Sequence, residues 1–191
     1  RWTVSRKKEI LSSRVDSARL LFRTVSETNC KLKAFITASA VGYYGSLTTQ
    51  RILTEDDPPS DDFLGTTCRL WEESADLFAL MGIRTVKIRS AVVLEKSDSA
   101  LSRLMTPARS GLVVRLGTGQ QYFPWIHITD LCNIYIKAVK DEYMHGAYNA
   151  VAPEHINHND FVRTMAGVMH RPVFLPLVPD WVLKVVLGEM S

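Results

Sequence analysis

A chain of 191 residues has the size of one domain, or of one and a fraction. With 46% hydrophobic and 23% charged residues it can bury a core, which excludes a disordered or fibrous chain. The net charge of +3 is spread along the sequence and marks no nucleic-acid footprint; the run Arg6-Lys7-Lys8 reads as a solvated helix face.

From Ser5 to Glu27, apolar residues including Ile10, Val15, Ala18, Leu21, Phe22 and Val25 recur at spacings of three and four, which predicts an amphipathic helix. Lys33 to Ala38 is short and apolar and reads as a buried strand. After it comes the loop Thr-Ala-Ser-Ala-Val-Gly-Tyr-Tyr-Gly (37–45), then an acidic stretch whose adjacent Pro58 and Pro59 exclude regular structure. A second helix is expected over Asp61 to Met81, with Asp61 or Asp62 as cap and Gly82 as stop. Ile83 to Leu94 reads as a second central strand. Helix, strand, helix, strand is the rhythm of a parallel sheet covered on both faces.

Shorter elements follow. The pattern predicts helices over 100–110, 129–140, 157–170 and 178–187, an extended segment over 122–128 and a strand over 147–151, with Thr129 or Asp130 capping the second of these helices. Cys30, Cys68 and Cys132 form no C-x-x-C pair, so neither a disulfide framework nor a zinc site is indicated and a reducing cytoplasm fits. No apolar run reaches the roughly 18 residues of a membrane span, and no signal peptide is visible.

Two parallel strands separated by a helix bring their C-terminal ends to one edge, where open α/β sheets bind ligands. Ser39 follows the first strand and Ser90 lies within the second, so the loop 37–45 is either the rim of a site or a glycine turn whose tyrosines fill gaps. His155 and His158 have no carboxylate or cysteine at ligand spacing, so no metal is expected. Gly117-Thr118-Gly119 reads as a plain turn before a phosphate cradle, and Glu72 and Glu73 as solvated.

Several stretches, in order, resemble the extended short-chain dehydrogenase/reductase superfamily: Ser13-Arg14-Val15, Ala38 to Gly45, Thr54-Glu55-Asp56, Ile88-Arg89-Ser90, Trp125 to Leu131, and Gly146-Ala147-Tyr148-Asn149. The double tyrosine, the pair Trp71-Glu72 and the run from Gly117 to His127 are similar to one atypical branch, the epimerase-family proteins. This resemblance implies an α/β fold: the C-terminal part of a Rossmann-type doubly wound parallel sheet plus a small irregular α+β substrate lobe. Residues 1–95 would be the second half of the cofactor domain and 96–191 mainly the lobe, with a return to the sheet near 120–150. The chain opens on Arg1, not Met, and is expected to be an internal segment whose glycine-rich cofactor motif lies outside it.

The resemblance implies an NAD(P)-dependent oxidoreductase or nucleotide-sugar epimerase-like protein, with NADP ahead of NAD and a small-molecule substrate such as a nucleotide sugar. Monomer and homodimer stay open. The rival is a cofactor-binding protein without turnover, a redox sensor or regulatory scaffold. Of the family's four catalytic residues only the serine matches, at Ser39; the Asn, Tyr and Lys positions hold Arg14, Leu64 and Cys68. Tyr43, or Tyr44 beside it, could supply the missing phenol, with Arg14 supplying the positive field. Cys68 is read either as a reactive thiol or as a packed one. Ala38, Ser39, Arg89 and Ser90 would face the cofactor, and Tyr44, Gln121, Tyr122, Trp125 and His127 the substrate, although His127 is also suited to holding the helix that follows it.

Overall fold

The computed structural model describes residues 2–28, 30–45, 49–96 and 119–170, together with the backbone of 115–116 and 177–178. The helix expected over 100–110 lies outside the described residues, as does that over 178–187 except for Val178, which sits in a short strand.

Helix α1 (Val4–Thr28) packs on α2 (Phe63–Leu80) through buried Val15 and Ala18. One side chain gathers three elements. Phe78 of α2 meets Phe22 of α1 edge-on at 5.5 Å and stacks on Phe35 of β1 (Ala34–Ala40) at 3.8 Å. Leu21, assigned to the buried face by spacing, is exposed, because neighbouring helix positions point about 100° apart and Phe22 takes the inward place. Asp62 caps α2 by accepting a hydrogen bond from the Gly65 N–H at 2.7 Å. Gly65 must lack a side chain, since a Cβ there would lie 2.2 Å from the Ser60 carbonyl oxygen.

Strands β1, β2 (Arg84–Ser90) and β6 (Gly146–Ala150) form a parallel sheet in the order β1-β2-β6. The single strand expected from Ile83 to Leu94 is in fact two. Ala91 donates to the Ala150 carbonyl but Val92 to that of Pro124, so the ladder passes from β6 to β5 (Trp125–His127), and β3 (Val92–Leu94) pairs with β5. A further pair joins β4 (Arg115–Leu116) to β7 (Leu177–Val178).

Side-chain alternation divides the sheet between two helices. On one face Phe35 and Lys87 meet α2, Lys87 bonding Asp76 at 2.8 Å. On the other, Ile36, Val86, Ile88 and Ala150 pack with Leu131, Ile134 and Ala138 of α3 (Ile128–Lys140). Both faces are therefore covered, and the doubly wound α/β arrangement is present. α3 starts one residue earlier than expected: its cap is His127, whose Nδ1 accepts from the Thr129 N–H at 3.3 Å.

The smaller lobe forms where residues 119–125 run antiparallel to 152–159, linked by Phe123 to Ile156 and His158 to Gln121. Leu94 and residues Phe161, Val162 and Ala166 of α4 (His158–Val168) make its core, with Phe123 and Trp125 against it. Among the described residues no helix is long and apolar enough to cross a membrane.

Candidate active site

Parallel register places Ser39 of β1 opposite Arg89 of β2, and Arg89 opposite Asn149 of β6. Register partners share a face, so three polar side chains form one row across the C-terminal end of the sheet, on the α2 side. Glu72 of α2 reaches into this row. Arg89 grips it with both ends of its fork, Nε to Oε1 at 2.8 Å and Nη2 to Oε2 at 2.9 Å, and Ser39 Oγ donates to the same Oε1 at 2.6 Å. Glu72 is 4% exposed, Arg89 3% and Ser39 2%, so this is a buried ion pair and Glu72 is not the solvated carboxylate its mid-helix position implied.

The row continues upward. Arg89 Nη1 donates to Tyr44 Oη at 2.8 Å and to the Glu55 carbonyl at 3.2 Å. Tyr44 lies in the short 3-10 turn Val41–Tyr44, and its single proton is shared between Asn149 Oδ1 at 2.8 Å and the Thr54 carbonyl at 3.0 Å. The Asn149 N–H in turn donates to Glu55 Oε1 at 2.7 Å. Asp57, also buried, holds the Thr54 N–H at 2.7 Å and pairs with Arg51. Segment 51–57 is thereby tied to β6 and to the turn.

The electrostatics follow from burial. Burial works against the Arg89 charge, but the two Glu72 oxygens and then Tyr44 outweigh it and hold the guanidinium above its ordinary value. Burial also raises the Tyr44 phenol, against the opposing bonds from Arg89 and Asn149. Tyr44 is thus a protonated acid at neutral pH.

Beside the cluster opens a cleft of about 710 Å3. The turn residues Val41, Gly42 and Tyr44 line it together with Leu64, Gln121, Tyr122, Phe123, Asn149 and Ile156. A Cβ on Gly42 would lie 3.6 Å from Leu64 and 3.8 Å from Cys68 Sγ, so these two helix residues back the turn directly.

Of the expected site residues, Tyr44, Gln121 and Tyr122 line the cleft together. Ser39 does not. Strand alternation turns it to the α2 side, where its hydroxyl is given to Glu72, while Ala38 and Ala40 point to the opposite face. Arg89 spends its donors inside the cluster, and Ser90 Oγ donates to the Ser39 carbonyl at 3.0 Å. Tyr43 lies under the Arg89 guanidinium, 3.5 Å from its ring centroid. The cation beside the tyrosines is therefore Arg89. Arg14 instead donates to the Ile10 carbonyl at 2.9 Å and lies over Trp71.

Cys68 is buried, and burial pushes its thiol up to about 11, which leaves a neutral packed group and removes the basis for a reactive one. Trp125 packs in the lobe core and His127 caps α3, so both serve the scaffold and stand outside the cleft lining. Glu72, Glu55 and Asn149 were missed as site residues, although each lies in a quoted motif. A signal for Glu72 existed: it falls four residues after Cys68 and three before Ala75, on the buried stripe of α2, and Arg89 lies at the C-terminal end of a central strand, where a buried cation needs a counter-charge.

No family model matches the sequence. The chain is 40% identical over 192 residues to epimerase family protein YfhF of Bacillus subtilis and 37% over 193 residues to epimerase family protein SDR39U1 of Mus musculus. These alignments take in 100% of the chain but 62% and 65% of the relatives, so it spans less than two thirds of the curated proteins it matches. Among solved structures it is similar to human epimerase family protein SDR39U1 (isoform 2) with NADPH, at a TM-score of 0.87 and 34% identity over 98% of this chain and 63% of that one. A nucleoside-diphosphate sugar epimerase from Corynebacterium glutamicum matches at 0.77 and 32%, over 98% and 41%. UDP-glucuronic acid 4-epimerase from Bacillus cereus, 18% identical over 88% of this chain and 55% of that one with a TM-score of 0.75, shares the fold.

Proposed function

Since the chain belongs to the epimerase family, an atypical branch of the short-chain dehydrogenase/reductase superfamily, we propose that it forms the substrate side of an NAD(P)-dependent oxidoreductase or epimerase-like site. The observation that carries this reading is the cleft at the C-terminal edge of the parallel sheet, in a chain that superposes along 98% of its length on a relative solved with NADPH. NADPH in that relative supports NADP ahead of NAD.

The residues here fit the ring end of a dinucleotide. Small Ala38 and Ala40 close β1, and Val41 and Leu64 offer apolar surface against which a flat ring can lie. Among the described residues no glycine-rich turn joins a strand to a helix to hold the pyrophosphate. The nicotinamide, when bound, supplies the hydride chemistry. Of the two described cleft phenols, Tyr44 and Tyr122, Tyr44 is kept protonated by burial and already accepts a bond from Arg89, so a proton lost to a substrate oxygen would leave a phenolate facing a fixed cation. Leu64 has no exchangeable proton, and the Cys68 thiol is buried and stands outside the cleft lining.

The test is NADPH oxidation by the protein extended to the length of its relatives. Tyr44→Phe should lower turnover by about 10²- to 10⁴-fold, the usual worth of a positioned acid, while Tyr43→Phe leaves it unchanged. Turnover unaffected by Tyr44→Phe, in a variant whose melting is unchanged, would remove Tyr44 from the chemistry. One observation favours a second reading, cofactor binding without turnover: the cleft wall carries Leu64 where the superfamily implies a tyrosine. Cofactor retained with no hydride exchange would select it.

The division into a cofactor part over 1–95 and a lobe over 96–191 belongs to the same proposal, and the pairing of β6 with β2 supports the return to the sheet near 120–150. Three unpaired cysteines support a reducing compartment such as the cytoplasm.

A further inference from the structure

We propose that Glu72 is a positioning residue for the acid of this site: through Arg89 it sets how tightly the Tyr44 phenol holds its proton. This rests on reading Tyr44 as the proton donor. Glu72 and Tyr44 meet on Arg89, which gives Nε and Nη2 to the carboxylate and Nη1 to Tyr44 Oη at 2.8 Å. One guanidinium thus joins the carboxylate of α2 to the phenol of the turn.

A cation within hydrogen-bond reach of a phenol, with both out of water, favours the phenolate. An ionised phenol has no proton to give to a substrate oxygen. Arg89 is 3% exposed, so water does little to soften its charge, and the group that balances it is Glu72, itself buried. What reaches Tyr44 is then an N–H dipole carrying little net charge. It steadies a phenolate once the proton has left but does not drive the proton off at rest. Ser39 Oγ, donating to Oε1, holds the carboxylate in place. The other charges near the phenol come from segment 51–57. Glu55, which accepts from the Asn149 N–H, opposes ionisation, while Arg51 and Asp57 pair with each other. Beyond these, β6 contributes neutral Asn149, α2 the neutral Cys68 thiol and the turn the Tyr43 ring. Glu72 is therefore the carboxylate whose loss leaves the cation facing Tyr44 unbalanced.

The experiment uses the protein extended to the length of its relatives, with tyrosine labelled by carbon-13 at Cζ, whose NMR shift follows ionisation of the phenol. The Tyr44 signal is the one lost in Tyr44→Phe. In the parent, Tyr44 should stay protonated at least to its ordinary midpoint of 10.0, and ionisation near neutral pH would overturn the proposal with no further variant. Glu72→Gln should lower the midpoint by about one pH unit or more, and the alkaline limb of kcat/KM for NADPH oxidation should move with it. Glu72→Asp, which keeps the charge, should stay nearer the parent. A carboxylate that only held the fold together would lower the melting temperature of both variants and leave the midpoint in place; that result, in variants still folded by circular dichroism, would overturn the proposal. The titration needs neither cofactor nor turnover. An unmoved midpoint therefore removes Glu72 from the acid and leaves the NAD(P)-dependent reading standing, whereas turnover indifferent to Tyr44→Phe removes Tyr44 from the chemistry and leaves the measured midpoints as they are.

Discussion

Replacing Glu72 by alanine removes the acceptor of three bonds at once: two from Arg89 and one from Ser39. Arg89 is then left 3% exposed with no counter-ion, its charge facing the Tyr44 hydroxyl, a backbone carbonyl and the Tyr43 ring. Removing one partner of a buried pair costs about 3–5 kcal/mol, because the remaining charge stays out of water without compensation. For a chain of this size each kcal/mol shifts the midpoint by roughly 2–4 °C, so Glu72→Ala should melt about 6–20 °C below the parent. The control is Arg69→Ala on the same helix: its partner Glu73 is 53% exposed, and loss of that surface pair should cost no more than about 0.5 kcal/mol. Thermal unfolding followed by circular dichroism gives both numbers. Raising salt to about 1 M should leave the difference between the two variants in place, since screening acts on exposed charges more than on buried ones. A Glu72→Ala variant melting within 2 °C of Arg69→Ala would refute the account of the cluster.

Cys30 and Cys132 are exposed and should react rapidly with a thiol reagent at neutral pH, whereas Cys68 should react only on unfolding; fast native labelling of three thiols would contradict its placement. Cys68 also predicts a pH dependence: its folded value of about 11 lies above the ordinary 9.0, so the unfolded state loses the proton first. Stability should therefore fall as pH rises from about 9 to 11, and Cys68→Ala should flatten that slope in urea titrations. Gly65→Ala should lose about 1–3 kcal/mol, because its new methyl meets the Ser60 carbonyl at 2.2 Å; a neutral result would mean that the Ser60 loop gives way freely. Calorimetry of the 191-residue chain with NADPH should show no measurable heat of binding, and micromolar affinity would contradict the assignment of the pyrophosphate site to residues outside it.

Much of the scaffold was legible because long periodic segments announce themselves. α1, α2 and α3 fall within one or two residues of the spans read from periodicity, and the stop at Gly82 and the cap at Asp62 are where the sequence chemistry puts them. The split after Ser90 was not legible, since a change of ladder partner leaves no mark on an apolar run. At the site, parity was the missing step. Ser39 matches a family position by order along the chain, yet odd and even residues of β1 face opposite ways, and its parity is that of Arg89 and Asn149. Arg14 was chosen as the cation near the tyrosines because it replaces a polar residue of the family set; Arg89, on a central strand, is the one the fold delivers. His127 holds the helix that follows it, as the sequence suggests, but does so as the cap itself; the cap was expected at Thr129 or Asp130, which carry the usual signal, whereas a ring nitrogen is an uncommon acceptor there.

The row Ser39, Arg89, Asn149 also bears on how the chain finds its alignment. Strand pairing driven by apolar contact alone tolerates sliding by two residues, since the same face stays inward. A slide of β1 by two would set Ser39 beside Lys87 or beyond the end of β2 and withdraw the hydroxyl from Glu72, and a slide of one would turn it to the α3 side altogether. The same shifts applied to β6 would carry Asn149 away from Tyr44. Each misalignment strands a charge or a polar group in the interior, so the ion pair acts as a key that fits one arrangement of three strands and penalises its near neighbours.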